Sequence, residues 1–542
     1  MFRLNLKIAL RNLWKNKGYT FINIAGLSIG MAGCILIFIF ISYQLSYDKQ
    51  FKNKDRTYRV ATHVIYPGGE AFDRGVQMPV VPAMRSDFGM LEEVAALQGS
   101  KGIIKVKDAS GKVGIKTEMQ AFYVEPQFFK IFDYTWLEGN PQQALSAPNT
   151  VALSEEMATK FFGDWHKAVG QTINYQNNTN LKVTGVFADL KENNTNKVKV
   201  AIAYAGFWGR NSKNWGSEDS DSECYILLKK GVNIADLEAP EKAFLDKYYK
   251  NVGGVGKPDL MFQPYTEIGH DARLSNFSGK VTSKTQMLGL VVIGLLLMLT
   301  ACINFINLAT AQAVGRSKEV GVRKVMGSMR KQLIVQFLTE TMTLTFIALI
   351  IACILTEIAL PRMEGLFKEK IAFGLVNSPL VMLFMTGLVL FVGFLAGFYP
   401  AMVMSGFSPA LAIKNKISIG NSGGGALRKI LVVVQFAITI ILITGTLVVL
   451  MQMKYMREKP LGFNSSAVAL ISMPDDSLSR IKYDIVKTRI LKEPAVLSVS
   501  FCNFSPSSLD NTYNGFGFNS TKQEDFQANT KHVDQDYFKT FG

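Results

Sequence analysis

Glu340, Asn304 and Asn307 are polar residues set in long apolar runs, and that setting demands an explanation. A carboxylate or amide enclosed by hydrocarbon has no water to solvate it. Such residues either handle protons and ions or hold neighbouring helices together. Glu340 lies a turn or two inside its run, near enough to the basic end to reach the interface, so a packing role stands beside the functional one. Gly26 and Gly30 form a GxxxG in the first apolar run, a spacing that permits close helix approach. A second group is basic: Arg316, Lys318, Arg323, Lys324, Arg330 and Lys331 surround a single acid, Glu319. Hydrolytic chemistry has little to work with. The four histidines, His63, His166, His270 and His532, are scattered and form no HExxH, and there is no GxSxG. Gly279-Lys280 is followed by Val281 and lacks the earlier glycine of a P-loop. No catalytic residue, metal ligand or cofactor is assigned to these residues, and intrinsic enzymatic activity is not expected.

The elements that hold these side chains follow from the distribution of charge over the 542 residues. Charged residues are absent from 18 to 47, 285 to 315, 371 to 413 and 430 to 453. A soluble helix must show water a polar face, so these stretches read as membrane spans rather than as core helices of a large soluble protein. Five spans are predicted, at 20–44, 286–311, 333–359, 379–404 and 430–452. Five cysteines, Cys34, Cys224, Cys302, Cys353 and Cys502, form no CxxC pattern, and three fall inside spans, so they read as small apolar residues.

The net charge of +16 is placed beside span ends, which argues for membrane orientation and lipid headgroups rather than nucleic acid. Arg3, Lys7, Arg11, Lys15 and Lys17 precede the first span without an acid, and Lys414, Lys416, Arg428 and Lys429 fill the linker at 405–429. The loop after the third span is mixed, with Arg362, Lys368 and Lys370 against Glu364 and Glu369. The positive-inside rule then puts the N-terminus and the 313–331 loop in the cytoplasm, and residues 46–284 and 454–542 outside. Met31-Ala32-Gly33-Cys34 loosely resembles a lipoprotein cleavage site, but the apolar run continues past the cysteine, which favours a retained span. Within residues 1–19, Arg3, Lys7, Arg11 and Lys15 recur every four residues, as on a basic amphipathic helix lying in the cytoplasmic leaflet, although a plain basic flank reads the same way.

Residues 46–284 alternate β-rich runs with turn signals and carry four of the five tryptophans, Trp136, Trp165, Trp208 and Trp215. Strands are predicted at 149–153, 171–175 and 181–187, with Ser154 capping a helix over 155–162 that Gly163-Asp164 stops. The region is large enough for an α+β domain, with room for two lobes. The chain also repeats itself. Residues 124–132, VEPQFFKIF, return at 533–541 as VDQDYFKTF, and Ala9-Leu10-Arg11 ahead of span one returns as Ala426-Leu427-Arg428 ahead of span five. Shared order and similar offsets argue for duplication, with a second unit that begins near residue 424 and breaks off inside its external domain.

Residues 301–340, ACINFINLATAQAVGRSKEVGVRKVMGSMRKQLIVQFLTE, closely resemble the signature of FtsX-like permeases. VEPQFFKIFDYTWLEGNP, TVALSEEMATKFFGD and LKVTGVFADL resemble the periplasmic core domain of MacB-type permeases; SYQLSYDKQFKNKDRTYRV and KPLGFN also look like family segments. The resemblance covers most of the chain and implies a multi-pass α-helical protein of the bacterial inner membrane with α+β periplasmic core domains. It implies the tandem type of ABC transporter permease, with two such domains, a pseudo-dimer within the full-length chain, and about three further spans beyond residue 542.

On residues alone, 313–326 extend span two as a basic helical segment with an apolar stripe of Val314, Val322, Val325 and Met326, and Gly327 ends it in a left-handed turn. The resemblance makes this a coupling hairpin, with Arg316, Lys318, Glu319, Gly321, Arg323, Lys324 and Gly327 at the surface of an ABC ATPase subunit that binds ATP and Mg. It implies mechanical coupling of ATP hydrolysis to the periplasmic domains, for export of a peptide, lipoprotein or amphiphilic substrate, with a periplasmic adaptor or outer-membrane channel as further partners. Within the same family an FtsX-like regulator of a periplasmic partner such as a cell-wall hydrolase, without transport, is the alternative. A membrane-tethered periplasmic enzyme would need a polar catalytic cluster in 46–284, and the sequence offers none.

Overall fold

The computed structural model describes residues 2–66, 69–107, 111–207, 213–250, 252, 257–367, 378–406, 424–474, 476–508, 512–515 and 527–542. Trp208, most of the 405–429 linker, and the loop charges Lys368, Glu369, Lys370, Lys414 and Lys416 lie outside the described residues. The chain divides into a helical unit, residues 1–45 with 284–459, and a β-rich unit, residues 46–283 with 460–542.

Among the described residues of the first unit, five helices are long and apolar enough to cross a membrane: Lys17–Leu45, Lys284–Gly315, Arg330–Phe367, Pro379–Gly406 and Gly424–Glu458. The shortest has 28 residues, which at a rise of about 1.5 Å per residue exceeds a hydrocarbon core of roughly 30 Å. The first four pack together. Leu27, Met31 and Ile35 of the first meet Met298 and Cys302 of the second, Leu344 and Ala348 of the third, and Val392 and Ala396 of the fourth in one core. Phe38 stacks on Phe384 with ring centroids 3.8 Å apart, and Ser28 donates across to the Ala348 carbonyl at 3.1 Å. The fifth helix stands apart: Ile438 alone among its described apolar residues is buried. A short helix, Phe2–Lys15, precedes the first span; its Ala9 and Leu13 are buried while Leu10 and Trp14 are exposed.

Among the described residues of the second unit, eleven strands form one mixed sheet. They are β1 (Thr57–Tyr66), β2 (Gly69–Asp73), β3 (Leu91–Lys107), β4 (Val113–Val124), β5 (Trp136–Glu138), β6 (Thr150–Ser154), β7 (Thr172–Tyr175), β8 (Thr179–Phe187), β9 (Val200–Ala203), β10 (Ser222–Leu228) and β11 (Lys257–Pro264). The order along the sheet is β11-β1-β10-β3-β4-β9-β6-β8-β5, with β2 on β1 and β7 bridging β3 and β8. β3 runs for 17 residues and links two lobes. Its Val94 and Ala96 sit in a core beneath helices Val80–Asp87 and Glu238–Tyr248, and its Ile104 and Val106 sit in another beneath helix Glu155–Phe162. Ala95 and Leu97, on the opposite face of the same strand, enter an aromatic core of Phe51, Phe128, Phe132, Tyr225 and Tyr265. The Glu155–Phe162 helix forms by local rules: Ser154 Oγ accepts from the Met157 N–H at 3.4 Å, Glu155 and Glu156 occupy the first turn, and Gly163 ends it at φ +80°.

The repeated segments share a local form. Phe128 N–H donates to Glu125 O at 3.0 Å and Tyr537 N–H to Asp534 O at 3.2 Å, each opening a single turn of helix. Phe128 and Phe132 are buried and so are their counterparts Tyr537 and Phe541, but Phe129 is 6% exposed where Phe538 is 77% exposed.

Candidate functional site

The helix expected to continue from span two through residue 326 is instead broken at Arg316, whose backbone sits at φ −92°, ψ 0° between Lys284–Gly315 and a separate helix, Ser317–Val325. The break turns the Arg316 side chain back into the helical unit. Its Nη1 donates to Glu340 Oε1 at 2.9 Å and its Nη2 to Oε2 at 3.0 Å, a bidentate fork. The two side chains are 16% and 10% exposed. Arg316 therefore does not belong to the outward basic surface. Its guanidinium also lies over the Phe337 ring at 5.3 Å, and Asn12 of the N-terminal helix donates weakly to Glu340 Oε2 at 3.5 Å. Beside the pair is a cavity of about 30 Å³ lined in part by Tyr19, Gln312, Thr341 and Pro400.

The short helix is docked by one apolar residue. Val320 is 1% exposed and packs with Leu333, Phe337, Ala401 and Met404; Ser317 and Gly321 are buried beside it. Three residues of the apolar stripe, Val322, Val325 and Met326, are exposed, Met326 at 83%, while the Val314 side chain lies outside the described residues. The turn back is a Schellman motif: Gly327 at φ +95° donates to Lys324 O at 3.1 Å, and Ser328 donates to Arg323 O at 3.0 Å. On the outer face Arg323 and Glu319 pair at 2.5 Å, beside the exposed Lys318, and Arg330 reaches Ser405 Oγ at 3.4 Å.

The other polar and small residues of the spans pack helices. A Cβ on Gly30 would lie 2.9 Å from Ala301 Cβ, and one on Gly26 would lie 3.5 Å from Asn304 Nδ2, so both glycines face span two. Asn307 Nδ2 donates to Gln435 Oε1 at 3.4 Å, a polar link from span two to span five. The spacing of Gly393 and Gly397, which admit Met342 and Thr341 against span four, is a second GxxxG that sequence reasoning passed over.

Two further clusters lie in the β-rich unit, and composition held no signal for either. Arg59 of β1 is fully buried, donating to Glu223 Oε1 at 2.9 Å, to Gln263 Oε1 at 2.7 and 3.0 Å, and to the Ser275 carbonyl at 3.1 Å. Glu223 also accepts from the Tyr225 hydroxyl. The second cluster gathers both ends of the domain. Asp48, 1% exposed, accepts from Thr195 N–H at 2.8 Å and Thr195 Oγ1 at 2.9 Å, and Asn193 Nδ2 donates to Ser46 O at 3.0 Å. At the other end Thr282 N–H donates to Gly269 O at 2.9 Å and His270 Nδ1 meets Thr282 O at 3.0 Å. Burial pushes the Asp48 carboxyl up to about 6, against the opposing pull of the Thr195 and Tyr265 hydrogen bonds and of Arg59. Among the described residues no group of histidine, cysteine and acidic side chains is arranged to hold a metal.

Residues 20–240 match the MacB-like periplasmic core domain, and residues 291–409 match the FtsX-like permease C-terminal domain. The pyoverdine export ATP-binding/permease protein PvdT of Pseudomonas syringae pv. tomato is 24% identical over 431 residues, covering 76% of this chain and 59% of the relative. The macrolide export ATP-binding/permease protein MacB 1 of Yersinia pestis bv. Antiqua is 23% identical over 358 residues, covering 64% of this chain and 51% of the relative. The chain thus spans between half and three-fifths of the length of these curated relatives. The periplasmic region of MacB from Actinobacillus actinomycetemcomitans aligns with 38% of this chain and 88% of its own, at 14% identity and a TM-score of 0.28.

Proposed function

From a MacB/FtsX-like permease that joins membrane helices to one MacB-like periplasmic core domain, we propose the permease component of an ABC export system of the MacB/PvdT type. With the core domain in the periplasm, the far end of span two and its 313–331 hairpin are cytoplasmic, and the basic flanks support an N-terminus inside the bacterial inner membrane. The observation that carries the coupling reading is the hairpin's outer face. Val322, Val325 and Met326 are exposed and rimmed by Lys318, Arg323 and Lys324, while Val320 anchors the opposite side. An apolar centre with a charged rim is the anatomy of a protein interface, and the partner is an ABC ATPase that binds ATP and Mg. The curated relatives combine ATP-binding and permease parts in one protein; the ATPase proposed here is a separate chain.

ATP-driven movement of the hairpin would drive the periplasmic domain to expel a peptide, lipoprotein or amphiphile, with an adaptor or outer-membrane channel receiving it. The Phe2–Lys15 helix, with exposed Lys7, Arg11, Lys15 and Trp14, would rest on anionic lipid. The matching turns at 125–132 and 534–541 support a second unit beginning near residue 424, and with it a pseudo-dimer. The test is affinity purification of the natural full-length protein with mass spectrometry of its companions. An ABC ATPase recovered with the wild type and lost with Met326→Asp supports the reading, because that exposed position leaves the core intact. Failure to recover an ATPase in gentle detergent refutes it.

A further inference from the structure

We propose that Arg316 and Glu340 are positioning residues that clamp the hairpin to the third span, so that force applied to it enters spans three and four directly. This rests on the ATPase-coupling reading above. If span two and the hairpin were one continuous rod, motion of the hairpin would run along that rod alone. The break at Arg316 removes the rod. What replaces it is lateral attachment: the bidentate pair to Glu340, Val320 seated among Leu333, Phe337, Ala401 and Met404, and Arg330 at Ser405.

The attachment is stiff for a physical reason. Two parallel charge-assisted hydrogen bonds fix both the distance and the plane of the guanidinium, which a single contact would not. The pair is nearly excluded from water, so screening by salt and competition by solvent are weak, and opening it would strand two charges in a poor solvent. Its surroundings point the same way. The guanidinium rests on Phe337 of the same span, and Asn12 approaches the same carboxylate from the N-terminal helix. Three parts of the helical unit therefore meet at one carboxylate, the N-terminal helix, the end of span two and span three, and span four lines the cavity beside it through Ala401 and Met404. A carboxylate with both oxygens hydrogen-bonded to one guanidinium is placed to act as a structural fastener.

The experiment uses the full chain in nanodiscs with its native cysteines replaced and a nitroxide on Met326→Cys, which reads hairpin motion without any partner. Glu340→Gln should raise label mobility several-fold, Arg316→Lys should give an intermediate rise because the charge remains but the fork is lost, and Arg316→Glu with Glu340→Arg should restore wild-type mobility. If Glu340→Gln does not fold, Arg316→Lys and the double exchange carry the same comparison. Unchanged mobility in Arg316→Lys and Glu340→Gln would overturn the clamp, and so would a rise that the exchange fails to reverse. A parallel arm measures ATPase recovery and ATP-dependent protease protection of the periplasmic domain. Glu340→Gln should keep recovery within about twofold while protection is lost, a loss that simple detachment of the ATPase would not produce. Loss of recovery together with protection would overturn force transfer through the pair. No recovery even with the wild-type chain would fail the ATPase reading, and the mobility arm would still decide the clamp.

Discussion

Replacing Asp48 by Asn tests whether the base of the periplasmic domain is held by a buried carboxyl. In the folded domain that carboxyl titrates at about 6, against 3.8 when free, with desolvation as the main cause. The folded state therefore keeps a proton between these values after the unfolded chain has lost it. The stabilisation is complete below the free value and is lost as pH rises through about 6. Moving from about pH 7 to about pH 5 should make local opening less favourable by about 1.4 kcal/mol, or tenfold in the opening constant. The groups facing Asp48 are Arg59, Tyr134, Tyr265 and Thr195, with His270 in the same cluster of chain ends. Hydrogen exchange at the Thr195 amide, which donates to Asp48 Oδ1 at 2.8 Å, reads the opening directly once intrinsic rates are divided out. The full-length protein should show the tenfold change, Asp48→Asn should be flat across the window, and His270→Gln should keep the wild-type slope. A pH-independent amide in the wild type, or an unaltered slope in Asp48→Asn, would refute the reasoning.

Glu223→Gln removes the charge opposite the fully buried Arg59 and should cost about 3–5 kcal/mol, read as a lower urea midpoint of the domain's tryptophan fluorescence. Gly30→Val drives a side chain into Ala301, where even a Cβ would stand 2.9 Å away, and should cost about 1–3 kcal/mol by thermal unfolding in detergent. Ser154→Ala deletes the cap of helix Glu155–Phe162 and should cost about 1 kcal/mol on the same urea transition. A midpoint within error of the wild type would deny the cap its role.

Features governed by short-range rules were legible. The five apolar helices follow from charge-free length, the Glu155–Phe162 helix from a capping serine and a following glycine, and the turn at Gly327 from a glycine after a basic helix. Each depends on neighbours within a turn or two, so the chain alone carries the information. Such rules did not reach the break at Arg316, because a basic segment of good helix formers gives no sign that one member will be pulled inward. Nor did they single out Val320, the residue that faces inward as the helix's anchor, while Val322, Val325 and Met326 of the apolar stripe face out.

By itself, then, the sequence determined that this is a multi-pass membrane protein with an α+β domain, where its hairpin turns, and which family it resembles. Tertiary structure alone decided what the buried charges do. Arg316 meets Glu340 across 24 residues, Asp48 meets Thr195 across 147, and Arg59 meets Glu223 across 164. The physical reason is that a charge in a poor solvent takes whatever partner the packed fold brings within hydrogen-bond reach. That choice is made by the arrangement of whole helices and strands, on which the spacing of residues along the chain has no direct hold.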